Sequence, residues 1–251
     1  MWFRCFKGKH NSEAYSLELI KEGIVFCYNL FKDKDYHLIF LADRWFPHVE
    51  ILTHIKSLGC FYCIRAKSYF TYGYYNEKKE LVTKHLRDIK PISQRSKIVK
   101  DVLFTRKKFK TTIVVPTYNN HPEDTWYIVT NDDPHYATKN YSYRFGSIEC
   151  IFKSQKSNGF RLESTNTKIL EHFISLFTIM CIALTWLTIL GADYVRKKNC
   201  YQLKIRDVRT HKGHKPTRLY SLFNLGLTIF NICYYNDVNF KLKFNFVLYD
   251  V

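Results

Sequence analysis

The spacing of apolar positions changes twice within the first seventy residues. Apolar residues approximate helical spacing from Leu17 to Leu30, which predicts a helix over about 13–31 with Ser12 as its cap. The run HLIFLAD at 37–43 is too short for a helix and is typical of a strand buried on both faces. The same reasoning gives a second helix and a second strand, at about 48–57 and 60–65. This β-α-β order indicates an open α/β sheet.

Polar and basic residues dominate the chain after Arg65. Lys and Arg clusters alternate with Tyr and Phe, and short strand-like runs follow at 111–116 and 126–130. Solvated charge explains any single cluster, but a recurring mixture of cations and aromatic rings is typical of a surface that faces DNA. We therefore interpret residues 67–130 as a β-rich insertion with a basic surface.

The pattern of the last 120 residues predicts mainly helices. Asp133-Pro134 is a good helix start, with Asp as cap and Pro in the first turn. Helical texture continues through 149–156 and returns over 168–190. An apolar helix at 219–233 and a strand-like terminus at 239–251 complete the chain.

One apolar segment has two interpretations. Residues 173–192 contain no charge and are long enough to span a bilayer, and three cations at 196–198 follow as positive-inside flanks would. However, four small polar residues lie on one side of the helical wheel, as in a buried helix of an α/β protein. They are Ser175, Thr178, Thr185 and Thr188.

The formal charge of +17, with an isoelectric point near 9.4, favours a polyanionic partner. A basic soluble protein and a protein attracted to anionic lipid remain alternatives. Hydrophobic residues make up 46% of the chain, enough for a packed core. Cys60 and Cys63 have metal-like spacing, but no second pair completes a zinc site. On a strand their side chains would point to opposite faces, so we expect structural thiols in a reducing cytosol.

Two segments contain candidate chemistry. Asp43 ends a buried strand, which is where open α/β sheets place their ligands, although an Asp there also caps turns. Farther along, Glu149 precedes Lys156 on a predicted helix that also carries Tyr141 and Arg144. A carboxylate followed by cations suits a metal and a phosphate, whereas the alternative is an ordinary amphipathic helix with exposed pairs.

In combination, these segments resemble a known family. The order LADRWF, a long β-rich gap, TWYIVTN, then Tyr-x2-Arg, Glu-x6-Lys and SNGFRLEST is similar to that of DDE-type cut-and-paste transposases of bacterial insertion sequences. The resemblance covers about residues 1–195. It implies an α/β fold: a ribonuclease-H-like mixed sheet flanked by helices, with a β-rich insertion. Its parts would be a core at 1–66, the insertion at 67–130, core-completing helices at 131–195 and a core-completing or dimerising segment at 196–251.

The resemblance also implies residue roles. Asp43 and Glu149 match the second and third catalytic carboxylates, which would bind Mg²⁺ or Mn²⁺. The remaining matches would contact DNA: Tyr141, Arg144 and Lys156 at phosphates, and Trp126 by stacking on a flipped base. A core position for the Trp126 ring is the alternative.

The sequence departs from the family pattern in two places. Four residues separate Arg144 from Glu149 where the family has three, which turns Arg144 about 100° off the face of Glu149 on an ideal helix. A bulge at Gly146, or a helix beginning after it, would restore the phase. The family's first Asp would lie upstream of Met1, so we expect an N-terminally truncated copy that does not cut DNA alone.

The resulting hypothesis is a transposase fragment whose partners are transposon ends and target DNA. Self-pairing or pairing with a full-length transposase would accompany this, in the bacterial cytoplasm at the nucleoid and without a membrane. One alternative is a non-catalytic DNA-binding remnant that inhibits the full-length enzyme. The other is a single-span membrane protein anchored by 173–192.

Overall fold

A computed structural model describes residues 13–92, 95–117, 125–153, 169–196 and 220–236, together with a few positions between them. The chain divides into two units, residues 1–153 and 154–251. The predicted cap Ser12 and the predicted strand-like terminus at 239–251 lie outside the described residues.

Among the described residues of the first unit, seven strands form one mixed sheet in the order β1-β2-β7-β6-β5-β3-β4. Strands β1 and β2 are parallel, and the other neighbours are antiparallel. The strands of the predicted insertion therefore extend the sheet that β1 and β2 begin. The bounds are β1 (Ile39–Ala42), β2 (Phe61–Ala66), β3 (Thr71–Tyr75), β4 (Leu81–His85), β5 (Lys97–Phe104), β6 (Phe109–Val115) and β7 (Tyr127–Thr130).

Helices cover both faces of this sheet. On one face, α1 (Glu13–Phe31) and α2 (Val49–Ser57) pack on a core that includes Tyr62 and Ile64 of β2. On the other face, α3 (Ala137–Lys153) packs through Ala137 and Tyr141. The predicted α/β class is confirmed.

A buried chain of hydrogen bonds connects the central strands. The Tyr62 hydroxyl lies 2.9 Å from the Thr111 hydroxyl, which donates to the Thr130 carbonyl at 3.0 Å. The Thr130 hydroxyl in turn donates to the Tyr62 carbonyl at 2.8 Å. At the end of β7, the Asn131 carboxamide accepts from Tyr62 N–H and donates to the Cys60 carbonyl. These bonds satisfy polar groups that would be costly to bury unpaired.

The described part of the second unit is mainly a pair of antiparallel helices. They are α4 (Leu170–Arg196) and α5 (Leu222–Tyr235), and a short ladder joins β8 (Val208–Arg209) to β9 (Thr217–Arg218). The helices meet at Gly191 and Gly226, where the backbone of each helix approaches the other so closely that a Cβ would overlap it. Small residues allow such close packing.

Two features predicted from the sequence are present in these elements, and one is not. The helix at 13–31 is confirmed, as are the opposite faces of the two cysteines, because Cys60 lies in one core and Cys63 in the other. The predicted helix start at Asp133-Pro134 is wrong. The Asp133 carboxylate instead accepts the His135 N–H at 2.9 Å in a turn, and α3 begins only at Ala137.

Candidate active site

Asp43 follows β1 at the carboxyl-terminal edge of the parallel strands. Its carbonyl accepts the Phe46 N–H at 2.9 Å, which closes a tight turn with Arg44 and Trp45 at its centre. Its carboxylate accepts the Arg44 N–H at 2.6 Å. The side chain remains 32% exposed. Asp43 is therefore held by a local turn and is open to a ligand.

Arg144 reaches Asp43 from α3, about a hundred residues later in the chain. Its guanidinium lies 3.4 Å from the Asp43 carboxylate, and its side chain is only 14% exposed. The site thus combines a carboxylate that can bind a cation with a guanidinium that can bind phosphate. The structure brings these two predicted residues together.

Trp126 lies just before β7, within an aromatic cluster. Its ring stacks on Phe145 with centroids 5.2 Å apart and meets Tyr141 edge to face, also at 5.2 Å. Such contacts stabilise packed cores. The geometry accords with the alternative core position, and the stacking of Trp126 on a flipped base stays a prediction.

Tyr141 lies on α3, and its side chain is fully buried against the sheet. Burial raises the pKa of the Tyr141 phenol and Asp43 raises it further, while the nearby charges of Arg144 and Arg65 lower it. Its predicted phosphate contact stays a prediction, because the ring packs inside the core.

Arg65 is a residue that the sequence reasoning did not select. It lies near the end of β2, next to the strand that ends before Asp43, and is close enough for its charge to lower the pKa of Tyr141. An arginine near the end of an otherwise apolar strand, as in GCFYCIR, is the signal that could have identified it.

The angle between Arg144 and Glu149 around the helix axis depends on whether α3 is continuous between them. This helix runs without interruption through Gly146, so neither predicted repair occurs. Arg144 and Glu149 are therefore about 140° apart around the axis. Arg144 nevertheless reaches Asp43. The side chain of Glu149 and all of Lys156 lie outside the described residues, so their roles and the meeting of Asp43 with Glu149 stay predictions.

Asp43 is the kind of donor that a hard divalent cation prefers, because Mg²⁺ and Mn²⁺ bind carboxylate oxygen. Its partial exposure leaves room for an ion. Within the described ranges, no group of three His, Cys, Asp or Glu residues converges on a point. The fit therefore depends on Asp43 and on one or more carboxylates from elsewhere.

A groove of about 700 Å³ lies near this edge of the sheet. It opens between the start of α2, the start of β3 and the turn from β5 to β6. Lys107 pairs with Glu50 on its wall, and this hydrogen bond lowers the pKa of the Glu50 carboxyl. Its lining also includes Arg106, His48 and His85. Arg106 can therefore meet an anionic chain in this groove.

The comparison with protein families gives one match. A family model described as "Transposase DDE domain" matches residues 21–186, about two thirds of the 251 residues. The match includes Asp43, α3 and the first part of α4. The mixed sheet with helices on both faces is consistent with the ribonuclease-H-like fold of such domains. No curated protein matches the chain.

Proposed function

The chain belongs to the transposase DDE domain family, and from this premise we propose that it is an insertion-sequence transposase polypeptide acting at transposon DNA ends. Transposase function and DNA as a partner follow from the family. The finer assignment to the cut-and-paste group with a Tyr-Arg-Glu-Lys signature rests on the order of motifs in the sequence.

The contact between Asp43 and Arg144 carries the proposal. A strand-ending carboxylate and the signature helix, separated by about a hundred residues, meet at 3.4 Å. The alternative of an ordinary amphipathic helix does not predict a contact between its arginine and the carboxylate of Asp43. The charges of Arg65 and Arg144 make the same point attractive to a phosphate, which supports a phosphoryl-transfer site.

Domains of this family use divalent metal ions. We assign Asp43 and Glu149 as ligands of Mg²⁺ or Mn²⁺, which would activate a water or a 3′-hydroxyl and stabilise the leaving oxygen. Among the described residues, Arg144 and Arg65 hold the phosphate, and the turn that begins at Asp43 fixes the carboxylate. Tyr141 and Lys156 are proposed to support phosphate binding, and Trp126 to border the DNA.

The 251-residue chain alone is proposed to bind DNA without cutting it. In support of DNA binding, the Arg144 guanidinium lies 3.4 Å from the Asp43 carboxylate, and the charges of Arg144 and Arg65 suit a phosphate. Self-pairing or pairing with a full-length transposase would then make the chain an inhibitor. Mg²⁺-dependent nicking by the purified chain would refute this part of the proposal and leave the family intact.

Binding measurements test the site directly. Asp43→Asn should abolish Mn²⁺ binding, followed by electron paramagnetic resonance in the presence of terminal-repeat DNA, while leaving DNA affinity in metal-free buffer within a few-fold. Arg144→Ala should weaken DNA binding by roughly tenfold, which corresponds to one charged hydrogen bond to phosphate. The matched control is Asp101→Asn, an exposed carboxylate that also pairs with a cation, Lys110. Equal effects from Asp43→Asn and the control would refute the assignment of the site.

We place the protein in the bacterial cytoplasm, associated with the nucleoid. Within the described residues, α4 is the one helix long and apolar enough to cross a membrane, and 28% of its most apolar stretch is buried. Its Ser and Thr hydroxyls donate to carbonyls four residues earlier, which satisfies them in water or lipid alike. The family match runs to residue 186, well into this helix, and favours a soluble role.

A further inference from the structure

Two turns leave the sheet side by side at the edge that carries Asp43. Strands β1 and β2 are parallel neighbours, with Ala42 opposite Ile64. The turn after β1 is closed by Phe46 N–H on the Asp43 carbonyl, and the turn after β2 by Phe70 N–H on the Lys67 carbonyl at 3.1 Å. Side chains at the centres of both turns therefore project from the same edge.

Each turn presents a large aromatic ring to solvent. Trp45 is 65% exposed and Tyr69 is 57% exposed. Folding gains little from rings left in water, since hydrophobic stabilisation scales with the apolar area removed from it. The Tyr69 ring stacks on Phe70 with centroids 5.3 Å apart, and the exposed parts of both rings can meet a ligand with an apolar face.

A cation joins the two rings. The Lys67 ammonium lies 3.2 Å from the centroid of the Trp45 ring and 5.7 Å from that of Tyr69. Both distances fall within the range of cation–π attraction. The cluster thus offers flat aromatic faces and a positive charge at one place, next to a carboxylate site.

Trp126, for which the family resemblance implies base stacking, is positioned differently. Its partly buried ring packs against the core, stacked on Phe145 and edge to face with Tyr141. Phe145 already stacks on the Trp126 ring, whereas the contact on the Trp45 ring is the end of a flexible lysine side chain. Exposure therefore favours Trp45 as a stacking residue.

We infer that Trp45, Tyr69 and Lys67 form a platform on which an unpaired nucleobase of the bound DNA stacks, next to the phosphate that Arg144 and Arg65 are proposed to hold beside Asp43. This inference rests on the proposed function. Nucleobases stack on aromatic side chains, and lysine adds attraction for the adjoining phosphate. The groove that includes Tyr69 continues past His85 and Arg106, which gives the strand a basic path away from the platform.

The test uses the full chain and a DNA duplex with one unpaired 2-aminopurine, whose fluorescence falls when it stacks. Trp45→Ala and Tyr69→Ala should each weaken binding of this duplex by roughly 5-fold to 150-fold, the range for one base on one aromatic ring, and should restore its fluorescence. Affinity for the fully paired duplex, set by phosphate contacts, should change by about twofold or less. Trp45→Phe, which retains a ring, should keep most of the quenching.

Tyr75→Ala is the matched control, because this ring is 64% exposed at the far end of β3. If Trp45→Ala and Tyr69→Ala behave like Tyr75→Ala while the wild-type chain binds DNA, the platform is refuted and the proposed function stands. If the wild-type chain binds neither duplex, the proposed function fails and the platform with it. Circular dichroism verifies folding, which these exposed positions should not disturb.

Discussion

Replacing Gly226 by alanine should loosen the pair of helices in the second unit. The new Cβ would overlap the carbonyl oxygen of Leu187 and would lie 2.7 Å from the carbonyl carbon of Leu187 and 3.1 Å from the backbone nitrogen of Gly191. Ordinary contacts of this kind are about 3.5–4.0 Å, so the helices must separate by roughly 1–2 Å. All three clashes involve backbone atoms, and no side-chain rotation relieves them.

The magnitude follows from two opposing effects. Over-packing a close interface costs about 1–3 kcal/mol, and we take about 2 kcal/mol here because the backbone must move. Alanine in place of glycine favours the helix by about 1 kcal/mol. Separation also weakens the contacts that Leu184 and Leu187 make with Phe223. We therefore expect a net loss of about 2 kcal/mol, counting roughly 1 kcal/mol for those contacts.

Native-state hydrogen exchange measures this loss within the intact chain. Amides of α4 and α5 should exchange about 30-fold faster in Gly226→Ala, which corresponds to 2 kcal/mol, while amides of β6 in the first unit should be unchanged. Ser175→Ala, on an exposed part of α4, serves as the control and should leave exchange equal or slightly slower. Unchanged or increased protection in Gly226→Ala would show that the helices do not pack as closely as described.

Three further predictions concern the first unit. Burial raises the pKa of Tyr62 to about 12, so the folded chain holds this proton more tightly than the unfolded chain, and the free energy of unfolding should fall between about pH 10 and 12. Tyr62→Phe should make that decline shallower by about 1.4 kcal/mol per pH unit in urea titrations, and an identical slope would contradict this. Asn131→Ala should cost about 2 kcal/mol by leaving two backbone groups unpaired, against less than about 1 kcal/mol for the exposed turn residue Asn76→Ala; equal losses would count against the bonding of Asn131. Burial raises the pKa of Cys63 to about 12, so iodoacetamide at pH 8 should label this thiol about 1000-fold more slowly in the folded than in the unfolded chain, and rapid labelling would contradict its burial.

Local sequence patterns predicted the regular elements well. The helix at 13–31 and the short strand before Asp43 depend on spacings that the chain sets within a few residues. The predicted start of α3 was wrong because Asp133 can either cap a helix or close a turn, and here it closes a turn. Composition alone does not choose between those two uses of the same side chain.

The candidate site depended on contacts that no local pattern contains. The extra residue between Arg144 and Glu149 predicted that the two side chains would not share a face of the helix. The packing of α3 on the sheet nevertheless brings Arg144 to Asp43. Arg65 was not selected from the sequence because its position near Asp43 follows from the pairing of β2 with β1. Trp45 was missed because its exposure depends on the turn that begins at Asp43.

The strand order has a consequence for how such proteins can change in length. The hairpin between β3 and β4 lies at the edge of the sheet opposite β1, whereas β7 lies between β2 and β6. Residues can be added or removed around Asn76 and Glu80 without shifting the strand that ends at Asp43. An insertion within β7 would disrupt the strand that connects β2 to β6 by hydrogen bonds. Natural variation in size should therefore gather at the β4 edge.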